Sequence, residues 1–420
     1  MTAVTISALD FRGRGIARLD GQVIFIEGAL PGETVTFREI NKKKRFVEAS
    51  VNRIIDASEY RTEPACPYYE KCGGCALQHV EADEEVVLKI ELWKEQLRRI
   101  GKVEEQNLLS PIVGDAWRYR VRSRLAVSYE GDIISVGFRA RRSHDVIDIK
   151  DCLILAYPLA AALPSLSDLL AKLLPLKVTA LSLHKGEQTC ALAIACDKNL
   201  PLEILKDWVL SQKENWQVWV NHQCIIGEEK DLFYDLAEFD VRVNFTPDDF
   251  TQVNPTVNHQ LVSQAVEWIQ PQKEKEIVDF FAGLGNFSLP FARLGAKVYS
   301  LEGVQEMVKR GELIAQKNHL KHLIETARVD LFAISGKAIK VWQTKEVWFV
   351  DPPRAGAQAL MQTLVKSKKP SKIVYVSCDS ATLARDAKLL NNAGFQLKSA
   401  RVANMFARSA HIESISLFER

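Results

Sequence analysis

The sequence predicts an α/β protein of three parts. These are a small N-terminal β-barrel, a central α+β domain, and a C-terminal domain on a Rossmann-like parallel sheet. Three observations lead there. Short β-branched runs separated by Gly- and Pro-bearing turns fill the first 56 residues. Cysteines crowd together directly after them. From about residue 270, strand-like and helix-like stretches alternate, the signature of a parallel sheet with helices on both faces. A chain of 420 residues also exceeds one ordinary core.

Composition narrows the class further. At 47% hydrophobic and 26% charged the chain is typical of soluble globular proteins, and its apolar runs are too short to span a membrane. No basic-then-apolar leader follows Met1, so a cytoplasmic location is expected, where clustered cysteines bind metals more often than they form disulfides. The net charge of +2 is nearly neutral, yet residues 1–55 alone carry nine Lys and Arg against six Asp and Glu.

In the first part, Val23–Ile26, Glu33–Phe37 and Arg45–Val51 read as strands, with Leu30-Pro31-Gly32 as a turn. Lys42-Lys43-Lys44-Arg45 falls at a strand connection, where a solvated hairpin tip is the plain reading. Cys66, Cys72 and Cys75 follow at x5 and x2 spacing. With a distant fourth cysteine such a set suits either zinc or an iron–sulfur cluster, since four thiolates serve both.

A helix is expected from about Ala82 to Arg99, stopped by Gly101. From Trp117 the pattern turns to period two, with Arg118, Arg120, Arg122 and Arg124 alternating with Tyr119, Val121, Ser123 and Leu125. In a strand those four arginines share one face, where they repel unless a phosphate backbone or internal carboxylates lie against them. Arg139, Arg141 and Arg142 extend the basic surface. Residues 155–245 read as mixed helix and strand, with Thr189–Cys196 a buried strand and Cys190, Cys196 and Cys224 inert core thiols.

In the C-terminal part, strands are expected at Glu276–Phe280, Lys297–Leu301, Glu346–Val350 and Lys372–Val376. The first runs into Phe281-Ala282-Gly283-Leu284-Gly285-Asn286, a glycine turn that lets backbone approach a ligand. Glu302, ending the next strand, is placed to accept from ribose hydroxyls. The third glycine of the dinucleotide fingerprint is missing, and Asn286-Phe287 fits S-adenosylmethionine better. Asp351-Pro352-Pro353-Arg354 ends another strand and turns Asp351 toward the same edge.

Cys378 also stands at a strand's carboxyl end, and a helix N-terminus just after it is expected to lower its pKa. A thiol beside a methyl donor suits methylation of an unreactive carbon. Thiolate addition to carbon 6 of uracil makes carbon 5 nucleophilic, and a base must later take the carbon-5 proton. Glu413 in His411-Ile412-Glu413-Ser414 is the candidate base.

Together these motifs resemble the RNA uracil-C5-methyltransferases over essentially the whole chain. The resemblance implies that the barrel is a TRAM-type RNA-binding module. It also makes Cys66, Cys72, Cys75 and Cys152 the ligands of a [4Fe-4S] cluster. Cys378, with Ala381–Asp386, matches the nucleophile motif, and Glu413 is the general base. Gln252, Phe281, Asn286, Glu302, Asp330 and Asp351 would bind S-adenosylmethionine. The implied domains are residues 1–56, residues 57–80 with 110–248, and residues 81–109 with 249–420. A barrel and cluster in one chain most resemble the members that act on 23S ribosomal RNA, at the uridine-1939 site. The T-loop uridine of transfer RNA, another 23S uridine, and a non-catalytic RNA-binding or assembly role are the alternatives. No obligatory protein partner is implied. Two departures from the family pattern stand out: Asp379-Ser380 replaces Asn-Pro, adding a charge that opposes thiolate formation, and Ala282 replaces a cysteine.

Overall fold

The structure, a computed structural model, describes residues 2–131, 133–334, 339–366 and 369–420. The C-terminal sheet takes the strands in the order Ile324–Arg328, Lys297–Glu302, Glu276–Phe280, Val347–Val350, Lys372–Ser377, Glu413–Glu419, Gln396–Ala403. The first five are mutually parallel, and Glu413–Glu419 runs antiparallel to both of its neighbours. All four expected strands are present. Their order reverses beside Glu276–Phe280, and the crevice at such a switch point is where open α/β sheets bind ligands.

Both faces of this sheet are covered, as its continuously apolar strands require. On one side the Pro255–Ile269 helix buries Val257, Leu261, Val262 and Ala265. On the other lie Leu383, Ala384, Ala387 and Leu390 of the Ser380–Asn392 helix, with Trp93 and Leu97 packed among them. The helix expected over residues 82–99 runs Ala82–Gln96, and its last turn widens into a π-helix, Leu97–Gly101. Gly101 is required there, because a Cβ would stand 2.9 Å from the carbonyl oxygen of Ala384. The chain then lies along the outer strand, with the amides of Leu109 and Ile112 donating to Ala400 and Val402, and closes that edge.

The central sheet also has seven strands, in the order Gln223–Ile226, Trp216–Val220, Cys190–Cys196, Val178–Lys185, Arg122–Glu130, Ile133–Arg139, Val146–Asp148. Helices Tyr157–Lys172 and Leu202–Leu210 cover one face with Leu159, Leu163, Leu166, Leu205 and Trp208. Cys190 and Cys196 are buried in that core, and Cys224 packs against another.

Residues 3–56 form one six-stranded sheet that curls around Val4, Ile6, Ile24, Ile26, Val35 and Ala49. The Lys42–Arg45 segment is an exposed connection between its two longest strands, the solvated tip expected. Among the described residues no helix is long and apolar enough to cross a membrane.

Candidate active site

The eight residues expected to bind the cofactor or react all line one cavity of about 1070 Å³. They are Gln252, Phe281, Asn286, Glu302, Asp330, Asp351, Cys378 and Glu413, and they come from seven separate segments. The parallel strands deliver five of the segments to the same edge because every such strand ends there.

The glycine turn is strained where it meets the cavity. Phe281 has φ +64°, a left-handed conformation costing a non-glycine residue about 1–2 kcal/mol, and Gly283 and Gly285 follow at +57° and +95°. Glu302 holds the turn by accepting from the amides of Gly283 (3.1 Å), Gly303 (2.7 Å) and Val304 (3.0 Å). The Asn286 side chain is fixed in an amide–amide pair with Asn258, and the Tyr234 hydroxyl donates to its Oδ1 at 3.0 Å. Asp330 caps its own turn by accepting from Phe332 and Ala333. Gln252 sits in a segment pinned to the arginine strand, where the Val121 amide donates to the Val253 carbonyl at 2.9 Å.

Cys378 lies between the end of Lys372–Ser377 and the helix starting at Ser380. Ser377 pairs with Ser414 across the antiparallel strands, and continuing that register by one residue sets Cys378 opposite Glu413. The loop facing them is clamped through Asp386. Its carboxylate accepts from the Ala357 amide at 2.7 Å and the Tyr375 hydroxyl at 2.8 Å, while Arg385 pairs with it and donates to the Ala355 carbonyl. Arg385 and Asp386 of the nucleophile motif thus hold the Asp-Pro-Pro-Arg loop in place.

The electrostatics of the thiol correct one expectation. A helix N-terminus does follow Cys378, yet burial, reinforced by Glu413 and Asp351, pushes the thiol up to about 12. The Asp379 carboxylate is engaged as the helix N-cap, accepting from Ala381 at 3.0 Å and Thr382 at 2.9 Å. Burial also raises Asp351 to about 7 and lifts Glu413 well above the carboxylate range, with Asp351 adding to the latter.

Sequence reasoning missed Asp279. It is 1% exposed, lines the cavity, and accepts from Ser288 through Oδ2 at 2.5 Å, while its Oδ1 has no hydrogen-bond partner among the described residues. Burial, then Asp351 and Glu302, raise it to about 8. Its place at the end of the first strand, two residues before the glycine turn, was the available signal. Three crowded carboxyls, none with an ion-pair partner among the described residues, suit that part of the cavity to a positively charged ligand.

The arginine strand differs from expectation. The strand starts only at Arg122, and Arg118, at φ +55°, turns away to pair with Asp151 at 2.8 Å. Arg120, Arg122 and Arg124 do line the cavity, and none has a carboxylate partner among the described residues. Arg118 therefore has the internal partner; Arg124 is exposed, while Arg120 and Arg122 are half-buried, Arg120 donating to the Arg122 carbonyl and Arg122 to that of Thr251 over the Phe250 ring.

The cysteine segment docks on the central sheet, the Gly73 amide donating to the Arg139 carbonyl, and on the catalytic side, the Ala76 and Leu77 amides donating to Arg408. Burial raises Cys75 to about 12 and Cys152 to about 11, and the negative charges of their fellow cysteines push both further. Arg141 donates to the carbonyls of Cys72 and Cys75, and Arg118 to that of Cys152. Among the described residues, no three His, Cys, Asp or Glu side chains are drawn in closely enough to hold a metal ion.

Comparison with known proteins bears on this arrangement. Residues 2–51 match the TRAM domain, and residues 230–420 match the family described as tRNA (Uracil-5-)-methyltransferase. The chain is 50% identical over 419 residues to the 23S rRNA (uracil(1939)-C(5))-methyltransferase RlmD of Dichelobacter nodosus, covering 100% of this chain and 98% of that one. It belongs to the RNA uracil-C5-methyltransferase family. A second member, RlmD of Neisseria lactamica, is 38% identical, covering 99% of this chain and 94% of its own. The solved tRNA (uracil-54, C5)-methyltransferase of Pyrococcus abyssi, in complex with S-adenosyl-L-homocysteine, has the same fold. Its TM-score is 0.75 at 21% identity, over 99% of this chain and 100% of that one.

Proposed function

We propose that this methyltransferase transfers a methyl group from S-adenosylmethionine to carbon 5 of a 23S ribosomal RNA uridine, uridine 1939, through a covalent Cys378–uracil adduct. The observation that carries the reading is the facing of Cys378 and Glu413 across one cavity. The named substrate of the relatives at 50% and 38% identity supports the choice of RNA.

S-adenosylmethionine supplies an electrophilic methyl on a sulfonium cation. Phe281, Glu302, Asn286 and Gln252 bound the part of the cavity that suits its nucleoside, with Asp330 at the rim. Asp279 and Asp351 offer carboxylates to its cationic end. Cys378, once deprotonated, bonds through sulfur to carbon 6 of the uracil, and carbon 5 takes the methyl. Glu413 then removes the carbon-5 proton, and the electron pair expels the thiolate. At about 12 the thiol is protonated before substrate binds, so the proton leaves only in the complex. Glu413, lifted in the same direction, must likewise be ionised when it takes the carbon-5 proton. Arg120, Arg122 and Arg124 would meet the phosphates of an RNA whose uridine is flipped into the cavity, at a cost of a few kcal/mol.

Cys66, Cys72, Cys75 and Cys152 would hold the [4Fe-4S] cluster, a brace between the central sheet and the catalytic edge. The four cysteines, with arginines on the adjoining carbonyls, suit an anionic cluster, around which the thiols would have to draw closer. Residues 81–109 and 249–420 form the catalytic unit in this reading, and the curled N-terminal sheet is a barrel that grips RNA in the cytoplasm.

The test is a covalent trap. RNA carrying 5-fluorouridine, incubated with S-adenosylmethionine, should form an adduct with the wild type and none with Cys378→Ala, because fluorine cannot leave as a cation. Sequencing the trapped RNA separates ribosomal from transfer RNA. Tight binding of both ligands without any adduct would sink the proposal.

A further inference from the structure

Cys378 opens onto two cavities. The second, of about 460 Å³, shares Cys378 and Arg354 with the first and is closed on its far side by Phe11 and Arg12 of the N-terminal sheet. Its floor is Gly73-Gly74 of the cysteine segment, and His411 lies on its wall. A third, of about 510 Å³, continues from Arg12 and Gly73 to Arg139 and Arg141. A groove therefore runs from the nucleophile to the N-terminal domain.

Phe11 is 63% exposed, and a single exposed aromatic is ordinarily unremarkable. Its setting is what sets it apart. The turn that carries it is rigid: the Asp10 carboxylate accepts from the Arg12 amide, the Arg14 amide and Arg14 Nε, each at 2.9 Å. Gly13, at φ +76°, presses the turn onto Ala76, Leu77 and Ala410, so closely that a Cβ would stand 3.2–3.4 Å from them. The guanidinium of Arg12 lies 5.4 Å from the Phe11 ring centre, and neither Arg12 nor Arg354 has a carboxylate partner among the described residues. The one carboxylate on the wall, Asp379, is engaged as the helix cap.

An aromatic ring on a fixed turn, two guanidinium groups without a carboxylate partner among the described residues (Arg354 donating to His411 at 3.2 Å) and a glycine floor match a nucleotide: base on ring, phosphate on arginine. We infer that the second cavity seats the nucleotide next to the target uridine, its base stacked on Phe11, so that the N-terminal domain helps choose the site. The inference rests on the uracil-methyltransferase reading above.

The experiment pairs Phe11→Ala with RNA hairpins containing 5-fluorouridine at the target and one abasic nucleotide at each neighbouring position in turn. Loss of a base–aromatic stack slows trapping of intact RNA by about fivefold to a hundredfold. At one neighbouring position, the abasic change should slow the wild type by a similar factor and leave Phe11→Ala no slower than it already is. Phe11→Trp should restore the rate and Phe11→Leu should not. Phe11→Ala trapping as fast as wild type, or losing further at every abasic position, would overturn the inference while leaving the reaction standing. No wild-type adduct on intact RNA would remove both.

Discussion

Lys89 donates to Glu85 at 2.7 Å from a site only 2% exposed, and the same ammonium donates to Asn404 at 2.7 Å and to the Phe406 carbonyl at 3.1 Å. Glu85 in turn accepts from the Arg408 amide at 3.0 Å. One buried ion pair thus ties the Ala82–Gln96 helix to the loop that brings Phe406 to the cavity and leads into Glu413.

Removing one partner of that pair strands the other. Lys89→Met should cost about 3–5 kcal/mol of unfolding free energy, read from denaturant titration. Glu85→Gln with Lys89→Met should cost less than the two single changes added together. Additive losses would mean the pair does not act as a unit.

Stability should also depend on pH through Asp279 and Asp351, raised to about 8 and about 7. Unfolded, both release their protons near pH 4. The folded protein therefore holds protons the unfolded chain has lost, and the stability this gives is full below about pH 4 and disappears as pH rises through 7 and 8. The melting temperature of the ligand-free protein should fall from pH 6 to 9, and Asp279→Asn or Asp351→Asn should flatten the fall. The same protons must leave before the carboxylates can meet a cation. S-adenosylmethionine affinity should accordingly rise from pH 6 to 8 in calorimetry, by up to about tenfold per unit for each proton released.

Cys378 should be slow to alkylate. With its thiol at about 12, iodoacetamide labelling at pH 7.5, followed by peptide mass spectrometry, should be at least a hundredfold slower than for an ordinary thiol near 8.5. The rate should rise about tenfold per pH unit. Rapid labelling at neutral pH would contradict the buried, acid-flanked setting.

The arginines should separate by salt dependence. Neutralising Arg122 or Arg124 to Gln should make the plot of log RNA affinity against log salt shallower by about 0.7–0.9 per residue. Arg118→Gln should leave the slope unchanged, since Arg118 already pairs with Asp151. Equal effects from all three would return Arg118 to the RNA-facing surface.

Alternating strand and helix, the glycine turn, the strand-terminal Asp351 and Cys378, and the cysteine spacing were all legible in the chain, because each is a local pattern of a few residues. So was the supply of cations at residues 118–124, although not their directions. Those turned on the φ of Arg118 and on Asp151, a partner far along the chain.

Sequence by itself determined which residue types stand at the ends of parallel strands, and hence that a ligand edge with a thiol exists. Only the tertiary structure decided what that edge faces. Antiparallel pairing of the last strand sets Glu413 against Cys378. Burial, through the neighbours it imposes, raises the thiol and leaves Asp279 Oδ1 without a partner among the described residues. Packing of Gly13 on Ala76 and Ala410 carries Phe11 to the cavity beside Cys378 from the opposite end of the chain. Propensity and periodicity act over one or two turns of chain, whereas strand register and burial are set by contacts between segments that the sequence keeps apart.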